Sequence, residues 1–292
     1  MLVHVLDVLI AGLVMGGIYA LAAMGLNLQY GVVRVLNMAH GEFIMLGGFV
    51  AYWLFTLLGI DPMLAMLVAS PLIFVLAWSV YRLVYHPIRL KSPSIAAFEG
   101  YSILASYGLI FIIQTLAILV WGGRLRAYTY LASPVSIFGA VFAANRLLAL
   151  LLTIGISLAF YLLLTRTRTG KAIRAIAQDT EIAHLMGIPV DWLWGLSFAL
   201  GAVMASMAGV ILSTMFPVSA IMGFSYTVIA VVVIVLGGLG NVLGSLIGGL
   251  ALGVVGAIVT ALQPGLVMVA FYVMFLGILL IKPTGIMARR GD

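Results

Sequence analysis

Long apolar runs separated by short polar breaks set the pattern of this chain along its whole length. Crossing a hydrocarbon layer of ~30 Å takes about 20 residues at 1.5 Å each. Nine runs approach that length, at about 8–28, 40–58, 63–84, 101–121, 147–164, 192–216, 224–239, 241–262 and 265–281. Two are irregular. The run 224–239 is short and ends in Gly237-Gly238-Leu239-Gly240, and 40–58 opens on polar His40 and Glu42, so each is a candidate for a broken or re-entrant segment. The pattern predicts an all-α, polytopic integral membrane helix bundle with eight to ten transmembrane segments, some of them broken or re-entrant. It forms a single membrane domain over 1–292, with 165–191 as its longest polar loop. No Lys or Arg precedes the first run, so the basic leader of a cleaved signal peptide is missing, and that run is expected to remain as a helix.

Composition agrees with the pattern. The chain is 65% apolar and 8% charged, against roughly 45–50% and about 25% in soluble domains. With 14 Lys+Arg and 8 Asp+Glu it cannot cover a soluble surface. The absence of cysteine excludes disulfides, thiolate catalysis and Cys-based metal sites. A net charge of +6 would point to nucleic acid in a soluble protein, but the basic residues lie in short loops, where they set topology. Arg166, Arg168, Lys171 and Arg174 in the 165–191 loop, and Lys282, Arg289 and Arg290 in the tail, place both in the cytoplasm. Alternate crossings then put the 85–100 loop and the Arg34 turn on the same side and the N-terminus outside. The segment 122–146 lands outside despite Arg124, Arg126 and Arg146.

Glycine supplies 33 of the 292 residues, above the usual ~7%. Gly12/Gly16, Gly240/Gly244/Gly248, Gly249/Gly253 and Gly201/Ala205/Gly209 recur every fourth residue, forming smooth stripes for close helix packing in lipid, with a pore lining or gate as the other use.

Chemistry-bearing residues are few. Asn37 is placed to cap a helix from residue 38, which puts His40 and Glu42 in its first two turns, where a carboxylate complements the helix dipole. The functional alternative sets His40 and Glu42 beside a translocation path or at a contact that moves. The four His, at 4, 40, 86 and 184, have no metal-binding spacing, and no nucleophile elbow or Asp-rich motif is present. Spans this poor in ionisable groups argue against proton coupling, so energy comes from elsewhere or transport is passive.

The loop 165–191 reads as two short helices, 170–178 and 181–186. Ile173, Ile176 and Ala177 line one face of the first, and Asp179 or Thr180 caps the second, which ends at Gly187 with Pro189 beyond. An apolar face outside the membrane calls for a partner protein. Gly170-Lys171 is no phosphate-binding loop, because position 165 is Thr and Lys171 precedes Ala.

These residues resemble the permease subunits of bacterial ABC importers, and in particular the branched-chain amino-acid family of LivH type. Glu181, Ala183 and Gly187 match the importers' Glu-Ala-Ala-x-x-x-Gly loop, with Ile182 departing at the second position. The stretch Ala177–Ile188, the run from Tyr30 to Phe43 through Asn37-Met38-Ala39-His40-Gly41-Glu42, and Gly237-Gly238-Leu239-Gly240-Asn241 with Gly244 are more particular to the LivH-like group. The resemblance implies a permease domain paired with a second, LivM-like permease or a pseudo-symmetric copy, two cytoplasmic ATPases and a periplasmic substrate-binding protein. It also implies the bacterial inner membrane, alternating access, and no catalysis or cofactor on this chain, ATP and Mg being bound by the partners. Arg174, Asp179, Glu181, Ala183 and Gly187 become the expected ATPase-coupling residues. Asn37, His40, Gly41, Glu42, Gly237, Gly238, Gly240, Asn241 and Gly244 become expected pathway or gate residues, and Arg124 and Arg126 expected contacts to the binding protein. A related permease for urea, short amides or another small polar solute is the nearest rival, and a passive channel a more distant one.

Overall fold

The structure, a computed structural model, describes residues 2–137, 140–282 and 284–287. Arg289 and Arg290, used above for topology, lie outside the described residues. The bundle opens with α1 (Leu2–Leu28), α2 (His40–Leu58), α3 (Pro62–Val80), a short α4 (His86–Lys91) and α5 (Ile95–Trp121). A hairpin of β1 (Pro134–Ile137) and antiparallel β2 (Ala140–Ala143) precedes α6 (Ala144–Arg166). Two small helices, α7 (Arg168–Gln178) and α8 (Thr180–Leu185), form an elbow, and α9 (Val190–Ser213), α10 (Gly223–Gly237), α11 (Val242–Leu262) and α12 (Val267–Ile281) complete the chain. Among the described residues, eight helical segments are long and apolar enough to cross a membrane. The ninth expected span, α10, has only 15 residues.

Glycine explains how tightly the centre packs. A Cβ on Gly253 would overlap the backbone of Gly16 and Gly12, one on Gly249 would meet the backbone of Ala20, and Gly25 and Gly201 press backbone to backbone. So α1 lies against α11 on one side and α9 on the other, as close as side-chain-free surfaces permit. α9 is the most enclosed span, while α5 and α12 are the least enclosed.

Three irregular stretches depart from the sequence reading. The anticipated break at 40–58 falls before that run: α2 is continuous, and the interruption spans residues 34–39, entered through a π-helical turn at Gln29–Val33 with Arg34 at φ 61°. Asn37 does not cap a helix at residue 38; α2 begins at His40, and Asn37 Oδ1 accepts from the Ala39 N–H inside the turn, 3.1 Å away. The span expected at 192–216 stops at Ser213, and a non-helical stretch, 214–222, leads into α10. The hairpin was not anticipated; its strands are four residues each, below what alternation reveals.

Replacing Gly253 by Ala is expected to lower stability by about 1–3 kcal/mol, because the new methyl meets backbone that cannot turn aside. Gly155→Ala, at a position with no neighbour within 4 Å, is expected to be neutral or slightly stabilising. Thermal unfolding of the two variants in the same detergent checks the contrast.

Candidate functional site

Two places gather the polar residues of the chain, one deep in the bundle and one at the elbow. The deep one begins with the 34–39 break. Most of its residues are buried or half-buried, and the side-chain amides of Gln29 and Asn37 tie it to neighbouring elements. Gln29 donates from Nε2 to the Phe198 carbonyl (2.9 Å), and its Oε1 accepts from Asn37 Nδ2 (3.2 Å) and lies 3.3 Å from His40 Nδ1. His40 Nε2 sits 3.0 Å from the Ala22 carbonyl, so both ring nitrogens face acceptors and a neutral ring donates to one at a time. Tyr85 donates to Asn37 Oδ1 (3.1 Å) and lies 2.9 Å from the Ser106 hydroxyl, which itself reaches the Ser102 carbonyl at 2.7 Å. One connected set of bonds thus ties α1, α2, α5 and α9 to the π-helical turn Tyr81–Tyr85 that follows α3.

Two residues further along, α2 meets α10 head to head. A Cβ on Gly41 would overlap the Gly223 carbonyl, and the Gly41 N–H donates to Thr227 Oγ1 (2.7 Å). Glu42 is fully buried; its Oε1 accepts from Gln114 of α5 (2.9 Å), while Oε2 has no hydrogen-bond partner among the described residues. At 1.5 Å per residue, this meeting point is about 21 Å along α10 from Gly237 and about 24 Å along α2 from Leu58, near the middle of the bundle.

The Gly237–Gly244 run is brought to the deep network's lower edge. Gly237 and Gly244 touch through backbone, and Gly238 and Gly240 take φ of 101° and 79°, where a side chain is strained. Asn27 of α1 holds the turn by donating to Asn241 O (2.9 Å) and Ser245 Oγ (2.6 Å) and accepting from the Gly240 N–H (2.6 Å). Asn241 caps α11 through the Gly244 N–H at 3.0 Å. Asn27, Gln29, Tyr85, Gln114 and Thr227 were missed by the sequence reading. The available signal was an amide or hydroxyl inside an apolar run, which close helix packing also uses.

The elbow follows the sequence reading in its secondary structure and departs from it in what it buries. Asp179 caps α8 by accepting from the Glu181 and Ile182 N–H groups, both at 2.9 Å, and Gly187 ends the elbow at φ 78°. Ile173 and Ile176, whose apolar face was expected to need a partner protein, are buried against this chain's own α6, α9 and Gln29–Val33 turn. Arg174 bonds back to the Thr165 carbonyl (3.3 Å), and Ala183 is buried. The open apolar surface is instead on α8 and just beyond, with Ile182, Leu185 and Met186 at 58%, 84% and 77% exposure. Of these, Leu185 lines a cleft of about 510 Å³ whose wall includes Glu181, His184, Asp191 and Trp194. Trp194 stacks under the Arg89 guanidinium (3.5 Å to the ring centroid), and Arg89 donates to the Val33 carbonyl (3.0 Å), which links the elbow cleft to the 34–39 break.

Arg124 and Arg126 separate. Arg124 is exposed. Arg126 exchanges backbone bonds with Val218 (2.9 and 2.7 Å), and its guanidinium donates to the Trp121 carbonyl (3.2 Å), so it ties the loop down over residues 214–222 and is only partly open.

Helices of membrane-spanning length, eight among the described residues, define a multi-pass membrane protein of the helical-bundle class. The chain matches the family described as branched-chain amino acid transport system / permease component over residues 8–282, and it belongs to that family. It is 33% identical to the high-affinity branched-chain amino acid transport system permease protein BraD of Pseudomonas aeruginosa, over 98% of this chain and 96% of that one. The permease protein LivH of Escherichia coli K12 is 32% identical over 95% of this chain and 94% of its own length. The solved structure of PsaBC from Streptococcus pneumoniae in complex with Fab shares the fold with a TM-score of 0.51, at 15% identity and 97% coverage of both chains.

Asn27→Ala is expected to leave the Gly240 N–H without its acceptor and to destabilise the protein by about 1–3 kcal/mol. A lowered midpoint of thermal unfolding in detergent checks it, with Thr115→Ala on the exposed side of α5 as the neutral reference.

Proposed function

We propose that this chain is a permease subunit of a binding-protein-dependent, ATP-driven importer of branched-chain amino acids, leucine, isoleucine and valine. It is a non-catalytic subunit that carries no cofactor; ATP and Mg are bound by two ATPase partners. It pairs with a second, LivM-like permease or a copy of itself and receives substrate from a periplasmic binding protein. The chain sits in the bacterial inner membrane with the elbow and C-terminal tail in the cytoplasm, since four of its 14 Lys+Arg lie in the 165–191 loop. The names of the relatives support the substrate class.

The observation that carries this reading is the exposed tip of the elbow. Ile182, Leu185 and Met186 stand apolar and open, Leu185 beside a cleft edged by Glu181 and Asp191, while Ile173 and Ile176 pack the first helix of the elbow onto the bundle. Burying one such side chain in a partner contributes about 1.5–3 kcal/mol. A rigid attachment turns movement of that tip into movement of the spans. Arg89, stacked on Trp194 and bonded to Val33, extends the attachment to the 34–39 break and so to the network around Gln29, Asn37 and His40. In this mechanism ATP binding draws the elbows of the two permeases together, and the spans rock between inward- and outward-open states. The exposed Arg124, on the opposite side, is the better placed of the two arginines to meet an acidic patch on the binding protein.

Leu185→Asp and Met186→Asp are expected to weaken ATPase binding at least about tenfold, equivalent to 1.4 kcal/mol or more, with unchanged thermal stability of the isolated permease. Co-purification and receptor-stimulated ATP hydrolysis measure this; full ATPase binding by both variants sinks the docking assignment. Charge reversal at Arg124 is expected to weaken association of the loaded receptor in a salt-dependent manner, read by titrating receptor against transport rate.

A further inference from the structure

Glu42 is the one fully buried carboxylate among the described residues, and its Oε2 is unpartnered. What surrounds it is specific. Its carboxyl group faces Gly223, the first residue of α10, where a Cβ would lie 2.6 Å from the carboxyl carbon and both oxygens. No side chain caps α10, and the N–H groups of Gly223, Phe224 and Ser225 have no hydrogen-bond acceptor among the described residues. An open acceptor of negative charge and an open set of donors at the positive end of a helix therefore lie side by side near mid-bundle. Glu42 and Gly223 are themselves buried, and the outer edge of the junction is exposed. Ser225 is exposed, and the rings of Phe224 and Tyr107, 6.4 Å apart, are 38% and 40% exposed at the edge between α10 and α5. The side of Glu42 toward α5 is closed by Gln114, seven residues and so two helical turns on from Tyr107 along the same face.

A cation alone would complement Glu42 but leave the α10 donors unmet, and a neutral amide can hydrogen-bond to both, as Gln114 does to Glu42, but brings an opposite charge to neither. A molecule with an ammonium and a carboxylate on one carbon complements both. We propose that the junction of Glu42 with the first turn of α10 is a subsite for α-amino-acid zwitterions in the transport pathway. The ammonium takes the place of Gln114 against Glu42, the carboxylate meets the N–H groups of Gly223, Phe224 and Ser225, and Phe224 and Tyr107 flank an apolar side chain. Gly223 matters because a Cβ there would press on the Glu42 carboxyl group at 2.6 Å and displace it. The inference rests on the importer reading and adds to it a site on this chain, separate from the soluble receptor.

The chain's lack of cysteine makes the test direct. A S225C variant is assembled with its permease and ATPase partners, with any partner cysteines replaced, and its modification by a small maleimide is timed without receptor. Saturating L-leucine is expected to slow labelling about fivefold or more, as occupancy of a single site requires, whereas urea and potassium chloride do not. In the E42Q background the protection is lost, and in E42D it is partly retained; G223A, which fills the space without removing charge, also loses it. Equal labelling rates with and without leucine, protection that survives E42Q, or equal protection by potassium chloride each overturn the proposal. Receptor-dependent leucine uptake by the wild-type transporter is measured in parallel. Uptake without protection rejects the subsite alone, and absence of uptake rejects the importer reading on which it rests.

Discussion

In hydrocarbon no water is available to a backbone N–H or C=O, so each must find its partner inside the protein. Regular helices meet that demand by themselves. The chain interrupts them at 34–39, 214–222 and 238–241, and at each place a side chain supplies what the helix no longer does. Asn37 serves the first, Asn27 serves the third, and Asn145 donates to the Thr214 carbonyl (3.0 Å) at the second. Arg126, paired through its backbone with Val218, closes the second further. These bonds also cross between helices, so the same amides that permit the breaks hold α1, α2, α9 and α11 in register.

Glycine makes the arrangement compact enough to work. An amide side chain reaches a neighbouring backbone only if the helices approach closely, and α1 is brought against α9 and α11 through Gly25, Gly12 and Gly16 facing other glycines. The breaks then lie partly between packed helices, with Arg34, Phe216, Pro217, Ile221, Leu239 and Gly240 left exposed. Their ends are the places where the bundle is least constrained by its own hydrogen bonding, and they bring together His40, Glu42, Thr227 and the first turn of α10. A carboxylate kept in such surroundings is costly and is the kind of feature that function, more than stability, accounts for.

The elbow obeys different physics because it lies outside the apolar layer. Its amphipathic helix packs its apolar face on the body of the protein, while Ile182, Leu185 and Met186 stay exposed. Arg89, stacked on Trp194 and bonded to the Val33 carbonyl, joins α9 to the start of the first chain break.

Much of this was legible in the sequence. Apolar runs of about 20 residues announce membrane helices whatever their neighbours, and the Asp179 cap and the Gly187 stop of the elbow are local signals that need no tertiary context. The fourfold glycine spacing announced close packing but not its partners. Only the tertiary structure decided that Asn37 serves a turn instead of a helix cap, that Ile173 and Ile176 face inward, that Arg126 is spent on the loop below it, and that Glu42 meets α10. The reason is the range of the forces involved. Hydrophobic length and capping act within a few residues of chain, whereas Asn27, Gln29 and Glu42 each have a partner from 72 to more than 200 residues away along it, across helix faces that no local pattern specifies.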